Sequence, residues 1–388
     1  MVLTALSRPV DTSNLTKVRY LVISDVHLGN QRNPAWRIIK NLRTYFGDFS
    51  ESSQFIKLDI LFIAGDFFDK ALWFSNEDVS NILSFILDLF GFCERYGIRL
   101  RYLEGTPSHD RKQFKNFLPT VKLFPLLNFK YIEEMCVEGF YDLNMTCLYV
   151  PDEHAGGGDK SQVLIAAKLE ELGLKEVSIS MVHSWFKYQV PEVSSSTKYD
   201  EAFFLGITKY YVSNGHIHGP STYDRIIGQG SFDRVAHREE HAKGGILIEL
   251  SPDDSYFFFI ENKEALPFKT LHIKTKDLDK ALEIIDKTTL ELPEGSWLRI
   301  KAKETHPVLA SIDQLGRQYT HVRFEKITEE EEVQKTKQLI DQQAFDTVDY
   351  KAVHIDKSNI VNLILDAMHR NEMDHDFNLL ENHLKGLL

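Results

Sequence analysis

Residues 18–29 read VRYLVISDVHLG. Val18 to Ile23 is an apolar run of strand length, and it feeds directly into Ser24-Asp25-Val26-His27-Leu28-Gly29. Alternate side chains of an extended chain share a face, so Asp25 and His27 can address one object from the carboxyl end of the strand. A metal-ligand pair is made that way, and so is an ordinary polar loop. The stretch acquires meaning from how often its pattern returns.

It returns at four further strand ends. The run LDILFI leads into Ala64-Gly65-Asp66-Phe67-Phe68-Asp69, where Gly65 removes bulk at a close backbone approach and the two oxygens of Asp66 can bridge two cations. Asp69 is read as a supporting carboxylate. The run IRLRYLEG turns through Gly105-Thr106-Pro107-Ser108-His109-Asp110, VSISMV ends on His183, and YYVSN ends on Gly215-His216-Ile217-His218-Gly219. His216 and His218 are again spaced to face one way between small residues. Each motif alone is a common strand terminus. Five strand ends finishing in Asp, His or Gly-flanked His point to one shared site, because open α/β sheets gather ligands at strand carboxyl ends.

Composition sets the bounds. A chain of 388 residues, 43% hydrophobic, has material for two or three domains and a large core. The formal net charge of -12 disfavours unassisted clinging to polyanions, although a bound dication or a local basic face can supply the needed field. The opening MVLTALSRPVDTSN lacks a basic segment followed by a sustained apolar one, and NILSFILDLFGFC is interrupted by Asp88 and Gly91. Neither a signal peptide nor a membrane span is expected. The three cysteines, Cys93, Cys136 and Cys147, lack CxxC spacing, so reduced thiols and a cytoplasmic setting are expected. No GxxxxGK[ST] loop occurs, so the chain alone is not expected to hydrolyse ATP.

Three regions follow. From about Lys17 to Ile260 short apolar runs alternate with helical patterns, and the strand-rich second half suggests a mixed sheet or two stacked sheets. The clearest helix is placed between Ser75 as N-cap and Tyr96, stopped by Gly97, with Val79, Ile82, Leu83, Ile86, Leu87 and Phe90 on its packing face. From about Pro267 to Lys326 the pattern becomes strand, helix, strand, strand, a small α+β module rich in Lys269, Lys274, Lys276, Lys280, Lys287, Arg299, Lys301 and Lys303. Those cations are either a solvated face or a surface for a phosphate backbone. After the acidic run at Thr328–Val333, two amphipathic stripes (Ile360, Val361, Leu363, Ile364, Met368; then Phe377, Leu379, Leu380, Leu384) either fold back on their own domain or dock on a partner.

The succession DxH, GDxxD, an HD turn, a lone His and GHxH resembles the calcineurin-like metallophosphoesterase superfamily over roughly the first two thirds of the chain. Within it the chain is similar to the nuclease-subunit family of the SbcCD recombination and repair complex, bacteriophage counterparts included. The features that carry this are GHIHG, the Gly-Ser element of IIGQGSFD, the small basic module and the paired terminal helices. The resemblance implies an α/β fold, a β-sandwich flanked by helices (αββα), divided into a nuclease domain (1–265), a small α+β capping domain (266–327), and a linker with C-terminal helices (328–388).

It also implies a two-metal centre: Asp25, His27 and His218 on one cation, His183 and His216 on the other, Asp66 bridging. The family usually has Gly-Asn-His-Asp at the third motif; here Ser108 falls at the Asn position and is the candidate ligand, with His109 acting on the scissile phosphate and Asp110 orienting its ring. Imidazoles mixed with carboxylates and no thiolate suit two Mn2+, with Mg2+, Fe or Zn as other possibilities. The implied activity is a duplex-end exonuclease and single-strand endonuclease on DNA, with Arg111 and Lys112 beside the phosphate path. An SMC-like ABC ATPase of the SbcC type is expected on the C-terminal helices, and a homodimer is expected. Two alternatives stay open: a metal-dependent phosphatase or cyclic-nucleotide phosphodiesterase, which has little use for the basic module, and a noncatalytic scaffold.

Overall fold

The apolar runs are strands, and they stack as two sheets. The computed structural model describes residues 15–72, 77–152, 157–189 and 198–331. In chain order the first half contains β1 (Val18–Ile23), α1 (Ala35–Tyr45), β2 (Ile60–Ala64), α2 (Glu77–Tyr96), β3 (Arg99–Leu103), β4 (Phe129–Ile132), β5 (Cys136–Phe140), β6 (Met145–Val150) and α3 (Gly157–Glu171). There follow β7 (Ile179–His183), α4 (Glu201–Ile207), β8 (Val212–Gly215), β9 (Ser221–Tyr223), β10 (Ile226–Gly228), β11 (Gly244–Leu250) and β12 (Ser255–Glu261). The last module holds β13 (Phe268–His272), α5 (Leu278–Leu290), β14 (Ser296–Ala302), α6 (Ile312–Gln318) and β15 (Val322–Thr328). The expected N-cap Ser75 and the two C-terminal amphipathic stripes lie outside the described residues.

One six-stranded sheet runs β12-β11-β1-β2-β3-β4 and the other β5-β6-β7-β8-β10-β9. The period-2 alternation of β1 explains the layering. Leu21 and Ile23 pack with Ile38 and Leu42 of α1 and Ile82 and Phe85 of α2, while Tyr20 and Val22 face Tyr149, Ile179 and Met181 of the other sheet. A third cluster joins Leu148, Val182 and Val212 to Ile165 of α3 and Phe204 of α4. The result is a mixed α/β fold in four layers, helix, sheet, sheet, helix. No helix among the described residues is long and apolar enough to cross a membrane. All three cysteines are buried and unbridged.

The small module differs from the expected α+β pattern. Its three strands are all parallel, in the order β13-β14-β15. Parallel neighbours need a crossover, so a second helix, α6, must stand where the sequence shows only strand followed by strand. Leu298, Ile300 and Ala302 of β14 pack on Ala281 and Ile285 of α5 and Ile312 and Leu315 of α6. The opposite face of β14 turns to the sandwich. Trp297 Nε1 donates to the Arg32 carbonyl (3.0 Å), and the guanidinium groups of Arg32 and Arg323 both lie over its ring. Glu325 takes ion pairs from Arg32 (2.9 Å) and Arg299 (2.8 Å), so Arg299 belongs to this seam and not to an open basic face. Lys274, Lys276, Lys280, Lys287 and Lys303 are exposed.

His237 is buried in the same seam, against the Phe268 ring and 3.5 Å from Glu325. Burial, with the Arg299 charge nearby, pushes its imidazole down to about 4 from an ordinary 6.5. As pH falls the unfolded chain takes up this proton before the folded one does, so the stability gained from a neutral ring is complete above the ordinary value and lost on the way down. Thermal unfolding at about pH 7 and about pH 4.5 should therefore show a smaller drop in Tm for His237→Phe than for the wild type. Equal drops would assign the acid sensitivity to other groups.

Candidate metal centre

In the first sheet β1, β2 and β3 are parallel, and in the second so are β7 and β8, so all five motif-bearing strand ends emerge at one edge of the sandwich. The first two loops are zipped together by backbone bonds: Asp25 N–H to Gly65 O (3.0 Å), His27 N–H to Asp66 O (3.1 Å) and Leu28 N–H to Phe67 O (2.9 Å). The chain is not extended there, as the alternation argument supposed. Asp25 (φ 50°), His27 (φ 54°), Asp66 (φ 49°) and His216 (φ 81°) all sit in the left-handed region. The turn, not strand alternation, aims their side chains. Non-glycine residues in that region are strained by roughly 1–3 kcal/mol each, a cost that clusters at functional sites.

Asp25, His27 and His218 form one group whose ligand atoms lie within 4.8 Å of one another. His27 Nε2 and His218 Nε2 are 2.9 Å apart, and Asp25 Oδ1 is 3.8 Å from His218 Nε2. The Asp25 carboxylate is steadied by Ser24 Oγ, itself held by Gln229 Nε2 (2.6 Å), and by the His216 amide (3.0 Å). His218 Nδ1 is turned outward to Glu239 (2.8 Å), which pairs with the buried Lys243 (2.9 Å). Burial alone would lower the His218 imidazole and raise the Glu239 carboxyl. Their mutual bond overrides both, raising His218 and holding Glu239 at about 2.

Asp66, His183 and His216 form the second group. His183 Nδ1 donates across the two sheets to the Ala64 carbonyl (2.7 Å), leaving Nε2 3.3 Å from Asp66 Oδ2. Glycine is required at two neighbours of this contact: a Cβ on Gly65 would stand 2.2 Å from His183 Nδ1, and one on Gly215 would stand 2.3 Å from Ala64 O. Burial disfavours charge on His183, but the Asp66 carboxylate outweighs it and raises the imidazole to about 10; Asp66 is held well below the carboxylate range in return. Burial, and then the His183 charge, lower His216 to about 4.

This donor chemistry fits a pair of borderline divalent cations. Each group mixes one carboxylate with two imidazoles, and no thiolate is present. The outer nitrogens of His183 and His218 are committed to a carbonyl and a carboxylate, the usual device that turns the other nitrogen's lone pair inward.

The third motif departs from expectation. Ser108 is exposed, with its carbonyl taking a bond from Arg111 Nε (3.1 Å). Thr106 takes the place assigned to it. The Thr106 amide donates to Asp66 Oδ1 (2.6 Å), and its Oγ1 is 3.1 Å from Asp66 Oδ2, 3.2 Å from His216 Nδ1 and 3.4 Å from His183 Nε2. Pro107 and Ser108 bulge away between Thr106 and His109, so counting back from His109 selects the wrong hydroxyl. The usable signal was Gly105-Thr106, a Gly-polar step off a strand end like Gly65-Asp66.

Asp110 also has another role. It is buried, and its oxygens accept from Phe68 N (2.9 Å) and Gly105 N (2.8 Å), with Tyr102 OH at 3.4 Å. It braces the turn from beneath and does not touch His109. Burial pushes its carboxyl up. The His109 ring is oriented instead by Asp69, whose carbonyl accepts from His109 Nδ1 (2.8 Å), and it packs edge-on to His27. Glu239, Lys243 and Asn30 carry no motif and were not legible as site residues.

No protein-family model matches the sequence, and no curated protein matches it. Among solved structures, GAP50, the anchor in the inner membrane complex of Plasmodium, is similar at 11% identity over 64% of this chain and 85% of its own, with a TM-score of 0.38. Glutamine-dependent NAD+ synthetase from Acinetobacter baumannii, in complex with adenosine diphosphate, is similar at 12% identity over 92% and 73%, with a TM-score of 0.30. Likenesses of that size carry no weight for function.

The two hydroxyls of the turn can be told apart. Thr106→Val keeps the shape and loses the oxygen, so in a calorimetric titration with Mn2+ it should weaken binding by about 10-fold, the scale of a lost supporting contact. Ser108→Ala should leave the titration unchanged. The opposite pattern would return Ser108 to the ligand set.

Proposed function

We propose that this chain is a two-metal DNA phosphodiesterase of the calcineurin-like metallophosphoesterase type, similar to the nuclease subunit of the SbcCD complex. The observation that carries the reading is the convergence of two groups, each of one carboxylate and two imidazoles, with a fifth imidazole, His109, against His27. In this reading Asp25, His27 and His218 would hold one cation, and Asp66, His183 and His216 the other, with Thr106 Oγ1 supporting the second set. The Asp66 charge is felt by His183, His27 and His109 alike, so it would act on a cation in either group. The reading takes the cations as Mn2+, with Fe or Zn also compatible with a mixed carboxylate–imidazole set. Cations bound there would supply Lewis acidity toward a phosphoryl oxygen and a readily deprotonated water.

The chain's own groups do the rest. With Nδ1–H anchored on the Asp69 carbonyl, His109 presents Nε2, which donates a proton toward the leaving sugar oxygen or stabilises its charge. Gly65 and Gly215 keep the edge narrow enough for His183 to stay in place. A polymeric phosphodiester is favoured over a small phosphoester by the lysine-bearing module seated on the loop after His27, through Trp297 and Arg32. The reading extends, by resemblance, to an SMC-like ABC ATPase bound through residues 328–388, to a homodimer and to a cytoplasmic location in DNA recombination and repair.

An end-labelled DNA duplex incubated with the purified chain in Mn2+ tests this directly. Asp66→Ala and His183→Ala should abolish cleavage, and DNA turnover that survives either change would remove the centre. His109→Asn should keep Mn2+ stoichiometry and slow turnover by about 100-fold, within the range of general acid catalysis. Equal loss of metal would make His109 a ligand.

A further inference from the structure

Asn30 lies just past the first motif and uses its whole side chain. Its Oδ1 accepts from the amides of Arg32 (2.9 Å) and Asn33 (3.2 Å), closing the turn that follows Gly29. Its Nδ2 donates to Asp69 Oδ1 (2.9 Å). That same Asp69 oxygen is 3.3 Å from His27 Nδ1, and the Asp69 carbonyl holds His109 Nδ1 at 2.8 Å. Asp69 therefore aims two imidazoles of the centre at once, one by its side chain and one by its backbone.

The other end of the turn is held by the small module. Arg32 gives its carbonyl to Trp297 Nε1, lays its guanidinium over the Trp297 ring and pairs with Glu325. A continuous set of hydrogen bonds thus runs from β14 through Arg32 and Asn30 to Asp69 and on to His109, with His27 Nδ1 in close contact with the same Asp69 carboxylate. One seam contact lies outside this set: Arg37 Nη1 donates to the Glu294 carbonyl (2.6 Å), in the loop that precedes β14.

We infer that Asn30 is a positioning residue that transmits the seating of the small module to His27 and His109, through Trp297 and Arg32 on one side and Asp69 on the other. When the module is drawn off its seat, the Arg32 backbone goes with it, the Asn30 bond to Asp69 is lost, and both imidazoles lose their alignment. This rests on the metal centre proposed above. It makes the module a control on that centre as well as a surface for DNA.

A double-mutant cycle on the full chain, read by Mn2+ affinity with Tm recorded alongside, tests it. Asn30→Ala should weaken Mn2+ binding by about 10-fold, the low end of the scale for losing an outer support of the ligands, and Trp297→Phe by less. The double variant should bind no worse than Asn30→Ala alone, since both changes break one connection. Arg37→Ala loosens the seam elsewhere and should lower Tm without changing affinity. If Asn30→Ala does not fold, Asn30→Ser keeps a turn acceptor and replaces it. Losses that multiply independently, or an Arg37→Ala variant that binds Mn2+ as poorly, would overturn the coupling and leave the centre standing. A wild-type chain that binds no Mn2+ would overturn both.

Discussion

The hydrogen bond from His183 Nδ1 to the Ala64 carbonyl ties one sheet to the other at the edge where the motifs gather. It exists only because neither Gly65 nor Gly215 has a side chain, since a Cβ on either would collide with the ring or the carbonyl. Around it the two parallel strand sets are brought close enough for Asp25, from the first sheet, to accept the amide of His216, from the second. The interior cores stack the sheets, but they do not by themselves bring the strand tips into register. That is done by polar contacts at the rim, which is why the local sequence there is glycine, aspartate and histidine and not more aliphatic core.

Much of this was legible from residue order. A buried strand such as Ile60–Ala64 is a continuous apolar run, and such runs are the signal of a sheet covered on both faces. Phe129–Ile132, Cys136–Phe140 and Ser221–Tyr223, which carry no motif, are sheet edges. Edge strands are short and half exposed, so their composition approaches that of loops. Helix Ile312–Gln318 was hidden by its length of one to two turns, by Pro307 just before it and by Gly316 within it. Asp25, His27 and His218 lie together, as do Asp66, His183 and His216, and every one of these residues stands in a motif that could be read at a strand end. The assignments to Ser108 and Asp110 failed for a shared reason. Both assumed that neighbours in sequence act as neighbours in space, whereas a bulge at Pro107 and Ser108 moves one hydroxyl out, and burial turns Asp110 toward backbone amides.

Charge is distributed unevenly against the overall -12. Within the candidate centre each carboxylate is matched to an imidazole, and the surplus is handled at a distance, by Glu239 with Lys243 behind His218 and by Glu325 with Arg32 and Arg299 in the seam. A buried pair such as Glu239–Lys243 contributes little net stability compared with apolar packing, but removing one partner strands a charge. Its value lies in orientation: it fixes which ring nitrogen points where.

The left-handed backbone at Asp25, His27, Asp66 and His216 bears on how far the centre could be re-engineered. Asparagine, aspartate and histidine are among the few side chains that tolerate that conformation. The residue types that could hold a divalent cation are thus also the ones the loops can accept. Installing cysteine ligands to favour zinc, or a β-branched residue of any kind, would meet resistance from the main chain before coordination chemistry had any say.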